Sequence, residues 1–271
     1  MIRVELALLA RRPRTWISLA ILVALPLTAA IFLAVTKIAP QPGDPTAPAL
    51  FSQVLGNGTL FAAAALAIDL ITLLPLCVLV VAGDSIAGEA SSGTLRYLLT
   101  RPVSRRRLLS AKLVSVVSYV LTAVIVVALA GYLSGIILFK SSGSITTVSG
   151  GEPLTPSQTA LRIVFTVLYV AVSMLGVAAF ALLLSSIVEN PLAATLGGFA
   201  ILVASTTLDA LDAAGSAQPY LPTHYWLKFV DLFRNPVLWR DVERGLLLQA
   251  VYVAVMLGAA WAYFTSKDIK S

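Results

Sequence analysis

Apolar runs separated by charges organise this chain. Uncharged stretches lie between Arg14 and Lys37, Lys112 and Lys140, Arg162 and Glu189, Glu189 and Asp209, and Arg244 and Lys267; a sixth runs from Thr59 to Gly83, interrupted by Asp69 alone. Ionised side chains are expensive in hydrocarbon, so the spacing of charges marks what can lie in lipid. About 20 apolar residues rising about 1.5 Å each cross a core about 30 Å thick, and all six stretches are long enough. The pattern predicts an all-α membrane protein with six transmembrane helices, at about 15–37, 59–83, 108–139, 156–187, 191–211 and 245–265. It lacks the short alternating strands of a closed barrel. Helix starts agree with these boundaries. Thr155-Pro156-Ser157-Gln158 is a capping box with proline at the first helical position, and Asn190-Pro191 repeats the cap-then-proline order, so a very short turn joins spans 4 and 5.

Composition removes the competing classes. Of 271 residues, 58% are apolar and 12% charged, against about 25% charged in soluble domains, and the mean hydropathy is +0.91. Too few charges remain to coat an aqueous surface, which excludes a soluble enzyme, a disordered chain and a disulfide scaffold. No repeat or soluble domain boundary is visible, so residues 1–271 read as one transmembrane domain.

The net charge of +6 and the pI near 9.6 raise nucleic acid as a partner. The cations instead flank the spans and build no basic domain, which argues for membrane lipids and against nucleic acid. Arg3, Arg11, Arg12 and Arg14 precede span 1, Arg96, Arg101, Arg105, Arg106, Arg107 and Lys112 lie between spans 2 and 3, and Lys267 and Lys270 follow span 6, whereas 38–58 and 141–158 contain no Lys or Arg. The positive-inside rule then puts both termini in the cytoplasm of a cell membrane, prokaryotic by its few lysines and many alanines. Lys228, Arg234, Arg240 and Arg244 between spans 5 and 6 run against this assignment. The first apolar run exceeds the h-region of a signal peptide and no clear A-x-A site follows, so it reads as a retained span. Residues 1–14 place Ile2, Leu6 and Leu9 on one side of a helix with Arg3, Glu5, Arg11 and Arg12 largely elsewhere, which suits either an interfacial helix or a basic flank.

The stretch 88–112, GEASSGTLRYLLTRPVSRRRLLSAK, is the richest outside the spans. Gly93 suits a helix end, Thr94 caps a short piece starting at Leu95, Pro102 forbids smooth continuation, and Ser104 caps the helix that becomes span 3. Arg105, Arg106 and Arg107 would crowd a first turn whose dipole favours anions, so anionic lipid or an acidic partner should offset them. Glu89 and Arg96 either pair with each other or face a partner.

These residues, Glu89, Gly93-Thr94-Leu95, the apolar pair Leu98 and Leu99, Pro102, Ser104-Arg105 and Lys112, resemble the cytoplasmic loop of the type-2 ABC transporter permease family. The strong likeness covers about 25 residues, and the basic N-terminal helix and six spans agree with it. The resemblance implies that 88–112 is a cytoplasmic coupling helix docking on a separate ABC ATPase subunit, with Glu89, Gly93, Thr94, Leu95, Arg96, Pro102, Ser104 and Arg105 at the contact. It also implies a second permease subunit, homo- or heterodimeric, export as the direction, and ATP with Mg on the partner rather than any cofactor here. This chain has no Walker A loop: Gly83-Asp84-Ser85-Ile86-Ala87-Gly88 is followed by Glu89, a carboxylate where phosphates would sit. It reads as a transport subunit and not itself an enzyme.

Other features stay open. A scaffold or sensor subunit would use the same loop to recruit a partner. Asp69, an acid inside span 2, is a possible intramembrane polar site, either the ion site of a secondary transporter or a neutral, hydrogen-bonded group. Residues 220–244 set Trp226, Phe229 and Phe233 opposite Lys228, Asp231 and Arg234, an aromatic amphipathic helix serving as outer anchor or re-entrant lid. One histidine, His224, and one cysteine, Cys77, cannot assemble a protein-only metal site. Gly131-x-x-x-Gly135 permits close helix approach, and Asn57-Gly58-Thr59 is a glycosylation pattern.

Overall fold

The caps act where the sequence puts them. Thr155 Oγ1 accepts the Gln158 N–H (3.3 Å) while Gln158 Oε1 accepts the Thr155 N–H (3.1 Å), and Asn190 Oδ1 accepts from the N–H groups of Leu192 (2.9 Å) and Ala193 (3.4 Å). Both sets satisfy amides that a helix start leaves without carbonyl partners. The computed structural model describes residues 2–36, 54, 57–91, 105–139, 154–211 and 215–266. The helices are α1 (Ile2–Arg11), α2 (Pro13–Thr36), α3 (Phe61–Ile71), α4 (Leu73–Ser91), α5 (Arg105–Leu138), α6 (Pro156–Ile187), α7 (Pro191–Ala210) and α8 (Trp239–Ser266), with 3₁₀ turns at Gly58–Leu60, Gly215–Tyr220 and Trp226–Phe233. No strand element occurs among the described residues. Helices α2, α4, α5, α6, α7 and α8 each contain a segment long and apolar enough to cross a membrane, which makes this a multi-pass membrane protein.

The second span corrects the expectation of one continuous helix over 59–83. It is divided: α3 ends at Ile71, Thr72 takes φ −137° and ψ −64°, and α4 then runs on to Ser91. Pro75 explains the break, because its ring nitrogen has no hydrogen to give to the Ile71 carbonyl four residues back. Only α4 is long enough to span; the apolar piece Gly58–Ile71 is shorter.

Helix α6 is the hub, packed against α4, α5, α7 and α8, while α2 and α3 lie on α5. Contacts between helices are made by small residues, as expected where lipid is as apolar as leucine and close approach must supply the attraction. Ala62 to Ala67 of α3 are fully buried. A Cβ on Gly131 would lie 2.6 Å from that of Ala65, and one on Gly135 would collide with the Gly58 carbonyl. The Gly131/Gly135 pair is thus used inside the chain, to seat α5 on α3. Lipid-facing surfaces are large and aliphatic, as on α8, where Leu247, Val251 and Val255 recur every fourth residue and are exposed.

Candidate functional site

Helix α1, the last turns of α4 and the start of α5 meet at the end of the bundle where residues 92–104 connect α4 to α5. Pro13 stops α1 and begins α2, leaving the terminal carbonyls of α1 without helical partners. The next turn supplies them: Thr15 Oγ1 donates to the Leu9 carbonyl (2.8 Å) and Trp16 Nε1 to that of Ala10 (2.8 Å). Tyr119 of α5 donates to Ser18 (2.8 Å), tying the same corner to the bundle. The expected stripe of Ile2, Leu6 and Leu9 is only partly inward. Ile2 is exposed, and Glu5 and Arg12 turn toward the bundle because cations and acids await them there.

Lys112 of α5 is the centre of that arrangement. It is 3% exposed, its ammonium lies 3.0 Å from Glu5 Oε1, and it pairs with Glu89 Oε1 of α4. One turn below, Asp84 receives Arg12 (3.2 Å) and Arg14 (3.5 Å). Gly88 leaves room for this, since a Cβ there would sit 2.5 Å from Asp84 Oδ1. Three cations thus meet three acids. Buried charge is tolerated only when so compensated, and loss of one partner strands the others. The outcome is an ionic latch fastening the N-terminal segment to both helices that carry the 92–104 connection. Beside it a cleft of about 20 Å³ lies between Glu5, Arg12, Ser85 and Lys112, room for about one water.

Level with the latch, a side chain of α6 holds α4. Ser185 Oγ accepts the N–H groups of Ile86 (3.2 Å) and Ala87 (2.9 Å) and donates to the Gly83 carbonyl (2.6 Å). One side chain of α6 thus touches three backbone groups of α4 within a single turn and ties the two helices together. Thr195 of α7 lies against Gly83, 2.8 Å from where a Cβ would stand. The second span is therefore interrupted at Thr72, and its longer part, α4, is held by Ser185 at Gly83–Ala87.

At the opposite end of the bundle, 220–244 differs from the expected surface helix. Its 3₁₀ turn Trp226–Phe233 buries Trp226, Phe229 and Phe233 instead of laying them on lipid. Non-helical backbone at membrane depth requires partners for its carbonyls. Side chains of the long helices provide them: Tyr252 donates to Tyr220 (2.7 Å), Gln249 to Pro222 (2.7 Å), Tyr169 to Tyr225 (2.6 Å) and Arg162 to Arg234 (2.8 Å). His224 Nδ1 lies 2.6 Å from Asp209 Oδ1, and Ser205 is hydrogen-bonded to Thr223 (2.7 Å).

Of the residues singled out from sequence, Glu89 belongs to the latch and pairs with Lys112; Arg96 lies outside the described residues. Gly93, Thr94, Leu95, Pro102 and Ser104 also lie outside them, and Arg105 is described only as the first residue of α5. Asp69 is fully buried near the end of α3, well removed along the chain from the latch, and among the described residues neither carboxylate oxygen has a hydrogen-bond partner. Asn57 is buried and caps the first 3₁₀ turn by accepting from the Thr59 N–H (3.0 Å) and hydroxyl (2.7 Å), which withdraws it as a surface acceptor for sugar. Among the described residues no three His, Cys, Asp or Glu side chains gather as for a metal. Glu5, Asp84 and Ser185 escaped sequence reading. The two acids carried a signal, each being isolated beside a long apolar run, whereas Ser185 is one hydroxyl among many.

Among curated proteins, the chain is similar to the Uncharacterized protein YhcI of Bacillus subtilis (strain 168), 27% identical over 209 residues. The match takes in 72% of this chain and 64% of that relative, so it spans less than two thirds of the relative's length. Residues 48–270 match the family described as Protein of unknown function (DUF2705). Since that range is most of the molecule, from before α3 to the end of α8, the chain belongs to this family.

Proposed function

We propose that the protein is the permease subunit of an ATP-driven exporter of the type-2 ABC kind, worked by a separate ATPase that engages residues 88–112 on the cytoplasmic side. The observation that supports this reading best is the latch: Lys112 buried between Glu5 and Glu89 joins the N-terminal helix to both ends of the 92–104 connection. A partner can shift a conformational equilibrium only through a contact that differs between the states. A latched base passes such a bias to α1, α4 and α5 together, where a loose connection would absorb it. Helix α4 then carries the displacement from the latch to the break at Thr72, toward spans that in this reading line the pathway with a second permease subunit. The ATP, the Mg and the hydrolysis belong to the partner.

Tagged protein purified from its native membrane should bring down an ATPase with a Walker A loop. In proteoliposomes the pair should consume ATP faster when the permease is present. Glu89→Gln should leave hydrolysis largely intact while transport falls at least tenfold. Absence of any co-eluting ATPase, together with indifference of the chain to ATP, would dispose of the reading.

Asp69 supports a second reading, a secondary transporter, because a buried acid without hydrogen-bond partners among the described residues stands three residues before a break in its span. That version requires uptake driven by an ion gradient without ATP and abolished by Asp69→Asn.

A further inference from the structure

Lys228, Arg234, Arg240 and Arg244 lie at the end of the bundle away from the latch. Two of them are answered inside the fold, Lys228 by Asp241 (3.6 Å) and Arg234 by Asp231 (2.7 Å). Arg240 and Arg244 are exposed and, among the described residues, have no ion pair. Glu243 between them is exposed as well and pairs with neither.

Their register on α8 gives the two cations a common direction. At about 100° per residue, positions 240, 244, 247, 251 and 255 fall within an arc of about 80°. Leu247 (68%), Val251 (58%) and Val255 (57%) are exposed along it, while Val242, Gln249 and Ala260 on the opposite side are buried. The guanidinia therefore head an aliphatic stripe that faces away from the protein. From Arg240 to Val255 the helix rises about 22 Å at 1.5 Å per residue, and one leaflet with its headgroups is about 20–22 Å deep. Trp239, half exposed and edge-on to Phe165 (6.3 Å between ring centroids), stands at the charged end, where interfacial indoles collect. Charge at one end and hydrocarbon over the depth of a leaflet repeat the order of groups in a phospholipid.

We infer that this face of α8 docks an anionic phospholipid of the leaflet opposite the latch, its phosphate between Arg240 and Arg244 and one acyl chain along Leu247, Val251 and Val255. Guanidinium suits phosphate because its planar fork donates two hydrogen bonds at once. Net negative charge is required, since a zwitterionic headgroup brings a cation of its own to a site that already holds two. An acidic protein would match the arginines but not the aliphatic stripe below them, which lies at the depth of lipid chains. The docked lipid anchors α8, whose other side holds the inserted segment through Gln249 and Tyr252. It also gives Arg240 and Arg244 a role that does not depend on the cytoplasm, so they need not count against the orientation drawn from the other loops. The site is independent of ATP and of the permease reading.

The test uses the full chain in phosphatidylcholine nanodiscs doped with a trace of photolipid, either phosphatidylglycerol or phosphatidylcholine, each with a diazirine at the middle of one acyl chain. Adducts are mapped by peptide mass spectrometry. The phosphatidylglycerol probe should label residues 247–255 at least fivefold more than its choline counterpart, one cation at an anionic membrane surface being worth about 1 kcal/mol, or about fivefold. The double variant Arg240→Gln, Arg244→Gln should bring the two probes within about twofold of each other. Both changes are at exposed positions, and labelling by the choline probe should stay at the parent level, which reports that the fold is kept. Glu243→Gln removes the one neighbouring acid and should widen the preference, whereas Arg11→Gln at the latch end should leave it unchanged. Equal labelling by the two probes in the parent, or a preference that survives the double variant, would overturn the inference. So would absence of both labels from 247–255 with α2 labelled normally, since a protein surface would then cover the stripe.

Discussion

Lys112 is a cation at a depth where lone charges are not tolerated, and its worth to the fold is set by what it neutralises. Truncating it to Met preserves the length of the stem but takes the ammonium from between Glu5 and Glu89. Breaking a buried pair in this way costs about 3–5 kcal/mol, whereas replacing an entire ionic group by apolar residues is often neutral. Lys112→Met is therefore expected to lower the unfolding midpoint steeply in a thermal melt of the detergent-solubilised protein. The triple variant Glu5→Gln, Glu89→Gln, Lys112→Met should recover most of the loss. If the single variant melts with the parent, the ammonium is not held as the geometry says. Recovery of folding by the triple variant without recovery of transport would separate the latch as a coupling device from the latch as a stabiliser. At the other end, Tyr169→Phe frees the buried Tyr225 carbonyl and should cost about 1–3 kcal/mol, visible in the same melt.

At the scale of elements, the contrast between α4 and its neighbours matters most. Helix α5, at 34 residues, is about 51 Å long at 1.5 Å per residue, a rod exceeding the hydrocarbon core, whereas the second span is interrupted at Thr72, between α3 and α4, and α4 is held by Ser185 near its end. Ser185→Ala removes the hydrogen bonds by which α6 holds the Ile86 and Ala87 N–H groups and the Gly83 carbonyl. Folding stability should fall by about 1–2 kcal/mol, and amide exchange in 83–91 should quicken. Unchanged exchange there would mean that the serine does not hold α4. The sequence showed the spans well, because spacing between charges is a coarse signal that survives any packing detail. It hid the break, although Pro75 was in view, since proline inside an apolar run is compatible with either a kink or an unbroken membrane helix. The segment holding the 3₁₀ turn Trp226–Phe233 stayed open between anchor and re-entrant lid for a related reason: a pattern of aromatics opposite charges describes one wet and one greasy side but not what the greasy side meets, which here is α6 and α8.

For the whole molecule, sequence placed charges at the ends of spans but not in pairs, because partners such as Glu5 and Lys112 are over a hundred residues apart and only tertiary packing brings them together. The latch therefore became visible with the fold, while the proposal that it faces the cytoplasm rests on cation counting. Arg12, Arg14, Arg107 and Lys112 gather at the latch end, yet Arg162, Arg234, Arg240 and Arg244 occupy the other. Much of that second group is engaged locally: Arg162 holds the Arg234 carbonyl and Arg234 pairs with Asp231 (2.7 Å). The rule counts cations near short loops, so the loops without any, 38–58 and 141–158, still favour a cytoplasmic latch. Cys77 is the sole thiol and is buried, so a Cys77→Ser background gives a clean slate for single exposed probes. Ser110→Cys at the latch end and Ser157→Cys at the far end are both on exposed positions. An impermeant maleimide added to intact cells should modify the second and spare the first, and permeabilised cells should show both. The reverse order would place the charged latch outside, where no cytoplasmic ATPase can reach it.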